Sequence, residues 1–144
     1  MSALSDMSTK AATITAKRSG VYRAPARVAA LRKAAGTAGL AWMDLPLDAV
    51  VNKKQFFATC AKQLKLPSYF GGNWDALADC ARDFNWLRGK GYVLHLSGSE
   101  KFANAAADDY QTALDVLMQA ADFWKSKGTP FIVLVDGGKN LPAF

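Results

Sequence analysis

The sequence predicts an α/β protein with a small three-stranded parallel sheet packed with helices. Two observations indicate this class. Short apolar runs at 40–47, 92–96 and 131–135 have the length and composition of strands. Helical patterns separate these runs, and each connection is long enough for the crossover that parallel neighbours need.

The helical patterns alternate with the strands along the chain, and the first pattern precedes the first strand. Residues 24–35 and 52–65 carry apolar residues at helical spacing. Residues 101–104 predict a short helical turn, and residues 108–127 predict a long helix. The run at 92–96 is apolar almost throughout, which predicts a strand covered on both faces.

The chain of 144 residues fits one domain with an N-terminal tail. Residues 1–20 lack apolar periodicity and are predicted to be disordered, and residues 21–144 are predicted to form the domain. No apolar run predicts a membrane span, and the N-terminus lacks the apolar centre of a secretory signal. Cys60 and Cys80 are predicted as buried free thiols of a cytoplasmic protein.

The stretch at 66–84 predicts a sharp loop that opens a helix. Pro67 cannot continue the preceding helix, and Gly71 and Gly72 permit backbone angles closed to other residues. Asn73 is a predicted N-cap. The buried face of the helix is predicted to consist of Trp74, Leu77, Ala81 and Phe84.

A second face of this helix is acidic. Asp75, Asp79 and Asp83 are spaced by four, and like charges at this spacing repel by about 0.2–0.5 kcal/mol per pair. The helix dipole offsets this only for Asp75, near the N-terminus. A positively charged partner would remove the conflict, so the sequence predicts a binding face with Tyr69 beside it. A solvated helix face is the alternative that stays open.

Patterns of catalytic residues are absent from the sequence. The glycine pairs lack the strand-then-helix context of a phosphate loop or a dinucleotide fingerprint. His95 is the only histidine and is predicted to be a strand residue rather than a catalytic base. No closely spaced set of ligands predicts a metal site. No enzyme activity, cofactor or metal is therefore predicted, although Asp75 with Asp79 leaves a metal-dependent enzyme as a third hypothesis.

The net charge of +6 is unevenly distributed. Seven basic residues and no acidic residue lie at 10–33, whereas the rest of the chain carries 11 basic and 12 acidic residues. Such a segment is a candidate nucleic-acid-binding arm, or else a soluble tail and a solvated helix face. Nucleic-acid binding is therefore the alternative function that the sequence leaves open.

The central stretch LPSYFGGNWDALADC, residues 66–80, resembles the signature of the barstar family of intracellular ribonuclease inhibitors. The family pattern is Leu-Pro, an aromatic pair, Gly, any residue, Asn, an apolar residue, Asp-Ala-Leu, any residue, Asp and Cys. The similarity extends more weakly over residues 41–138, and residues 19–42 look like the extension of longer barstar-like proteins. The resemblance implies three parallel strands with helices packed around them.

The resemblance also implies occlusion of a nuclease active site rather than catalysis. Asp79 would take the place of a substrate phosphate, a position whose family counterpart is itself a known binding hot spot, and Asp75 would add a second carboxylate. Tyr69 would pack its ring against the catalytic region. The implied partner is a basic microbial ribonuclease or a toxin nuclease domain, met in the bacterial cytoplasm. Close backbone approach and rim contacts would come from Gly71, Asn73 and Trp74.

Three departures from the family pattern concern the partner rather than the fold. Ala78 stands between the two key aspartates where the family archetype has Trp, which removes an aromatic contact. The archetype's later acidic contact has no secure match, since the long helix offers Gln119 or Phe123. The archetype is acidic overall, whereas this chain carries a net charge of +6.

Overall fold

Four parallel strands form the central sheet of the computed structural model, which describes residues 14–144. They are β1 (Gly20–Arg23), β2 (Ala41–Pro46), β3 (Tyr92–Ser97) and β4 (Phe131–Val135). Their order across the sheet is β1-β4-β3-β2, and every neighbouring pair is parallel. The predicted α/β class and parallel sheet are confirmed.

The predicted number of three strands is wrong, because the sequence pattern did not reveal β1. This strand has four residues, and Val21 is its one large buried apolar side chain. Among the described strands it pairs only with β4, with Val21 opposite Val133. A short strand at the margin of a sheet carries little of the apolar pattern that predicts a strand.

Helices cover the two faces of the sheet unequally in the described part of the chain. The helices are α1 (Val28–Thr37), α2 (Lys53–Gln63), α3 (Trp74–Ala81), α4 (Glu100–Ala105) and α5 (Ala107–Ser126), with a 3-10 turn at Ala16–Arg18. Within residues 14–144, none of them is both long and apolar enough to span a membrane.

Two apolar clusters fill the space between the sheet and these helices. Helices α2 to α5 cover the inner cluster, which includes Phe56, Leu77, Leu94, Phe102 and Phe131. Helix α1 covers the smaller outer cluster on the opposite face, which consists of Ile14, Leu31, Ala35, Leu40, Val93, Ile132 and Leu134.

Part of the predicted tail packs against the sheet. Ile14 is buried in the outer cluster, and the Ser19 hydroxyl accepts a hydrogen bond of 3.0 Å from the Phe131 N–H. Residues 14–20 therefore differ from the predicted disordered segment, because these two contacts anchor them. Residues 1–13 lie outside the described part of the chain, and the division into a tail and one domain stays a prediction.

Helix α3 ends earlier than its apolar pattern predicts. The helix stops at Ala81, and Phe84 has a left-handed φ of 47° in the turn that follows. Phe84 is nevertheless fully buried, with its ring 5.2 Å from that of Tyr92. The side chain reaches the inner cluster from a turn, and the prediction of its burial is right.

Candidate partner-binding site

The loop at 66–73 turns the chain sharply into α3. The Phe70 N–H donates a hydrogen bond of 2.9 Å to the Pro67 carbonyl, and Gly72 follows with a left-handed φ of +69°. Asn73 Oδ1 then accepts a bond of 2.8 Å from the Ala76 N–H. The predicted N-cap is confirmed, and it fixes the direction in which α3 leaves the loop.

Trp74 anchors the start of α3 in the core. Its ring centroid lies 4.7 Å from that of Phe57 and 5.9 Å from that of Phe56, both on α2. The side chain is half-buried against the inner cluster. Most of the indole therefore holds α3 in place, and only its exposed part is available for the predicted rim contact.

Asp75 and Asp79 lie one turn apart on α3, and both are exposed. The Asp79 side chain is 75% exposed, and its Oδ1 accepts a hydrogen bond of 2.8 Å from Arg82 Nη2. An acid and a base three residues apart are a recognised helical pair, so the spacing of Asp79 and Arg82 is a signal for this intrachain partner. The carboxylates face away from the core, so the face remains open to another protein.

Tyr69 projects from the loop with 69% of its surface exposed. Desolvation raises the pKa of its phenol, and the negative charge of Asp83 raises it further. Burial raises the pKa of the Cys80 thiol most, and the negative charges of Asp79 and Asp83 raise it further. Asp83 therefore lies near the loop, and it follows the end of α3 rather than continuing the predicted acidic face of the helix. Tyr69 stays a neutral hydrogen-bond donor at physiological pH.

The two glycines of the loop have different reasons to be there. Gly72 has a left-handed φ, and residues that carry a Cβ adopt this backbone angle only at a cost in conformational energy. Gly71 has no such angle, and an added Cβ would contact only Asn73 Nδ2, at 3.4 Å. The fold does not require glycine at 71, which leaves close approach of a partner as a reason for it.

His95 belongs to a separate polar cluster on the outer face of the sheet. Its Nε2 lies 2.9 Å from Asp136 Oδ1, and its Nδ1 lies 3.8 Å from Asp44 Oδ1. Asp44 also accepts a bond from Trp42 Nε1 and pairs with Arg32 at 2.8 Å. Across residues 14–144, no group of three or more His, Cys, Asp or Glu side chains could hold a metal ion.

The basic residues of α1 and the acidic face of α3 lie on opposite sides of the sheet. Leu31 of α1 packs into the outer cluster, whereas Leu77 of α3 packs into the inner cluster. Arg32 and Lys33 lie on α1, so the sheet separates their charges from the acidic face of α3. The positive net charge therefore does not describe the surface around Asp75 and Asp79.

The fold and this face together define an α/β protein with an acidic helix presented by a glycine-containing loop. Residues 40–136 match the family described as Barstar (barnase inhibitor). This match covers more than half of the chain, so the protein belongs to the barstar family, a family of inhibitors rather than enzymes. It includes β2, β3, β4 and the whole stretch 66–80, while β1 and α1 precede it. No curated protein matches the chain significantly.

Proposed function

We propose that this protein binds a microbial ribonuclease, or a related toxin nuclease domain, and occludes its active site. Membership of the barstar family supports the inhibitor class. The observation that carries the proposal is the exposure of Asp75 and Asp79 on one face of a capped helix. The protein would act as an immunity protein in the bacterial cytoplasm, before the nuclease reaches RNA.

Two carboxylates one turn apart suit a cleft that has evolved to bind RNA. A ribonuclease must attract a polyanion, so its cleft is lined with cations. Carboxylates on a rigid helix can replace phosphate oxygens there, and charge complementarity raises the association rate. Asp75 and Asp79 are exposed in the free protein. Binding would bury each carboxylate beside a cation of the nuclease, and this pairing would offset the loss of hydration.

The positive net charge does not prevent this attraction. The screening length at physiological ionic strength is about 8 Å, so local charges dominate the field that an approaching partner meets. Three aspartates lie at 75–83 with one arginine, whereas the basic α1 covers the opposite face of the sheet. A basic nuclease approaching α3 therefore meets a negative surface.

Tyr69 and Gly71 complete the proposed surface beside the carboxylates. An exposed aromatic ring next to charged groups is typical of binding hot spots. The neutral phenol would pack against the catalytic region of the nuclease, and the absent side chain of Gly71 would let the two backbones approach closely. Asn73 acts mainly through the cap that orients α3.

Binding to a purified guanyl-specific microbial ribonuclease tests the proposal, with inhibition of RNA cleavage as a second measurement. We expect Asp79→Ala to weaken binding by about 2 kcal/mol or more, at least 30-fold. Asp115→Ala is the matched control, because it removes an exposed carboxylate from α5. Tight binding that is indifferent to Asp79→Ala would overturn the assigned face, and failure to inhibit any basic microbial ribonuclease would overturn the function.

Nucleic-acid binding is the second candidate, and one observation favours it. Among the cations described at 17–33, Arg32 forms an ion pair with a carboxylate, whereas Arg23, Arg27 and Lys33 have no acidic partner within residues 14–144. A salt-dependent affinity for single-stranded RNA, weakened by Arg27→Ala with Lys33→Ala, would support it. If the protein does not bind single-stranded RNA even at low salt, this candidate function is excluded.

A further inference from the structure

Strand β2 is an open edge of the sheet. It pairs with β3, and the Ala41 N–H donates to the Gly91 carbonyl at 2.9 Å. Because hydrogen-bonding directions alternate along a strand, the N–H and C=O groups of Trp42 and Asp44 point away from β3. Neither N–H has a hydrogen-bond partner among residues 14–144.

The chain itself covers the end of the opposite edge of the sheet, at Arg23. The Arg23 N–H donates to the Pro142 carbonyl at 2.8 Å, and Arg23 forms a parallel bridge with Ala143. The Phe144 N–H donates back to the Arg23 carbonyl at 3.4 Å. The C-terminal segment thus protects the end of β1, and β2 has no equivalent cover in the part of the chain that the structure describes.

A groove of about 360 Å³ runs alongside the open edge. Its lining beyond β2 includes Leu87, which packs against the inner cluster, and two basic residues, Lys65 and Arg88. Asp44 is the acidic residue of this lining, and its charge is already paired with Arg32 at 2.8 Å. The groove therefore offers backbone donors, an apolar wall and uncompensated positive charge.

From this arrangement we infer that β2 is a docking edge for an extended acidic segment of a partner protein, which adds a fifth strand to the sheet. Main-chain bonds to Trp42 and Asp44 would supply affinity, and side chains at alternate positions would supply specificity. Acidic side chains of the added strand that point to the sheet face of the inner cluster would meet Lys65 and Arg88. This surface is distinct from the loop and α3, so the inference does not depend on the proposed nuclease inhibition.

A second copy of the same chain fits this edge less well. Pairing two β2 edges would bring Lys65 and Arg88 of both copies to the same junction, where like charges repel. Pro46 has no N–H, so Trp42 and Asp44 supply the outward-facing donors of β2 to any added strand. Charge complementarity therefore favours an acidic segment over self-association.

A labelled peptide with alternating Glu and Val, six residues long and blocked at both ends, tests the inference on the full chain. We expect saturable binding, with slower amide exchange at Trp42 and Asp44. Met43, whose N–H faces β3, is the internal control and should not change. A peptide N-methylated at alternate residues keeps its side chains but loses main-chain donors, so it should not bind.

The charge contribution is tested on the protein. We expect Lys65→Glu with Arg88→Glu to weaken peptide binding by about tenfold. Lys101→Glu with Lys125→Glu makes the same change of net charge on α4 and α5 and should leave binding within about twofold. If the first variant does not fold, Lys65→Gln and Arg88→Gln are measured singly, and each should weaken binding.

Three results would overturn the inference. Lack of peptide binding up to about 1 mM would remove the docking edge. Binding that survives N-methylation would show side-chain contact without strand addition. Dimerisation of the free chain through β2, detected by sedimentation and by protection of the Trp42 amide, would assign the edge to a second copy.

Discussion

Arg82 Nη2 lies 2.8 Å from Asp79 Oδ1, so the residue proposed to replace an RNA phosphate is already paired within its own chain. The two side chains are 44% and 75% exposed, and an exposed pair of this kind contributes at most about 1 kcal/mol. Asp79 must leave Arg82 to meet a cation of the nuclease. The pair therefore opposes binding weakly and does not block it.

Removal of Arg82 is expected to strengthen nuclease binding. Arg82→Ala frees the Asp79 carboxylate and removes a positive charge from the binding face, so affinity should rise about two- to fivefold. Arg27→Ala removes the same charge from the start of α1 and is the control for net charge alone. Calorimetric titration of both variants checks this, and weaker binding by Arg82→Ala would mean that Arg82 positions Asp79 for its partner.

The two loop glycines are expected to separate folding from binding. Gly72→Ala forces a side chain into a φ of +69° and should lower the free energy of unfolding by about 1 kcal/mol or more. In Gly71→Ala the new Cβ contacts only Asn73 Nδ2, at 3.4 Å, so the free energy of unfolding should be nearly unchanged. The added methyl group should nevertheless weaken nuclease binding, because it hinders close approach of the two backbones. Urea denaturation and titration of both variants give the comparison. Unchanged affinity in Gly71→Ala would remove the role assigned to close backbone approach.

The caps of α2 and α3 provide a second matched pair. Asn52 Oδ1 accepts a bond of 2.9 Å from the Gln55 N–H, and Asn73 Oδ1 accepts one of 2.8 Å from the Ala76 N–H. Substitution of either asparagine by Ala should cost about 1 kcal/mol of stability. Asn73→Ala should also weaken nuclease binding, because its cap fixes the helix that carries Asp75. Equal affinities of the two variants would indicate that the orientation of α3 does not depend on its cap.

Local chemistry made much of the fold and the site predictable. The five apolar residues of β4 occupy the predicted positions, because a strand buried on both faces needs an apolar residue at every position. The cap at Asn73 and the turn at Gly72 follow from side-chain and backbone chemistry within a few residues. Such features depend little on the rest of the chain, so the sequence is sufficient to predict them.

Features that depend on distant parts of the chain were not predictable. Strand β1 exists because β4 offers it a partner more than a hundred residues away, and its own sequence is only weakly strand-like. The proximity of Asp83 to Tyr69 depends on how the loop lies against the end of α3. The cluster of His95, Asp44 and Asp136 joins β3, β2 and the residue that follows β4, and no spacing in the sequence reveals it. The pair of Asp79 and Arg82 is different, since its spacing of three residues is visible in the sequence.

Alkaline pH is expected to destabilise the protein through its buried thiols. Burial raises the pKa of Cys60 far above the value of about 8.5 that a thiol has in an unfolded chain. The unfolded state therefore releases a proton that the folded state keeps, and stability falls as pH rises above that value. From about pH 8 to about pH 9.5, the free energy of unfolding should fall by about 1 kcal/mol through Cys60 alone. Cys80, whose pKa is also raised, contributes with the same sign.

Urea denaturation across this pH range should show a smaller fall in the free energy of unfolding for Cys60→Ala than for the natural chain. An equal fall in both would show that Cys60 ionises as easily in the folded protein as in the unfolded one.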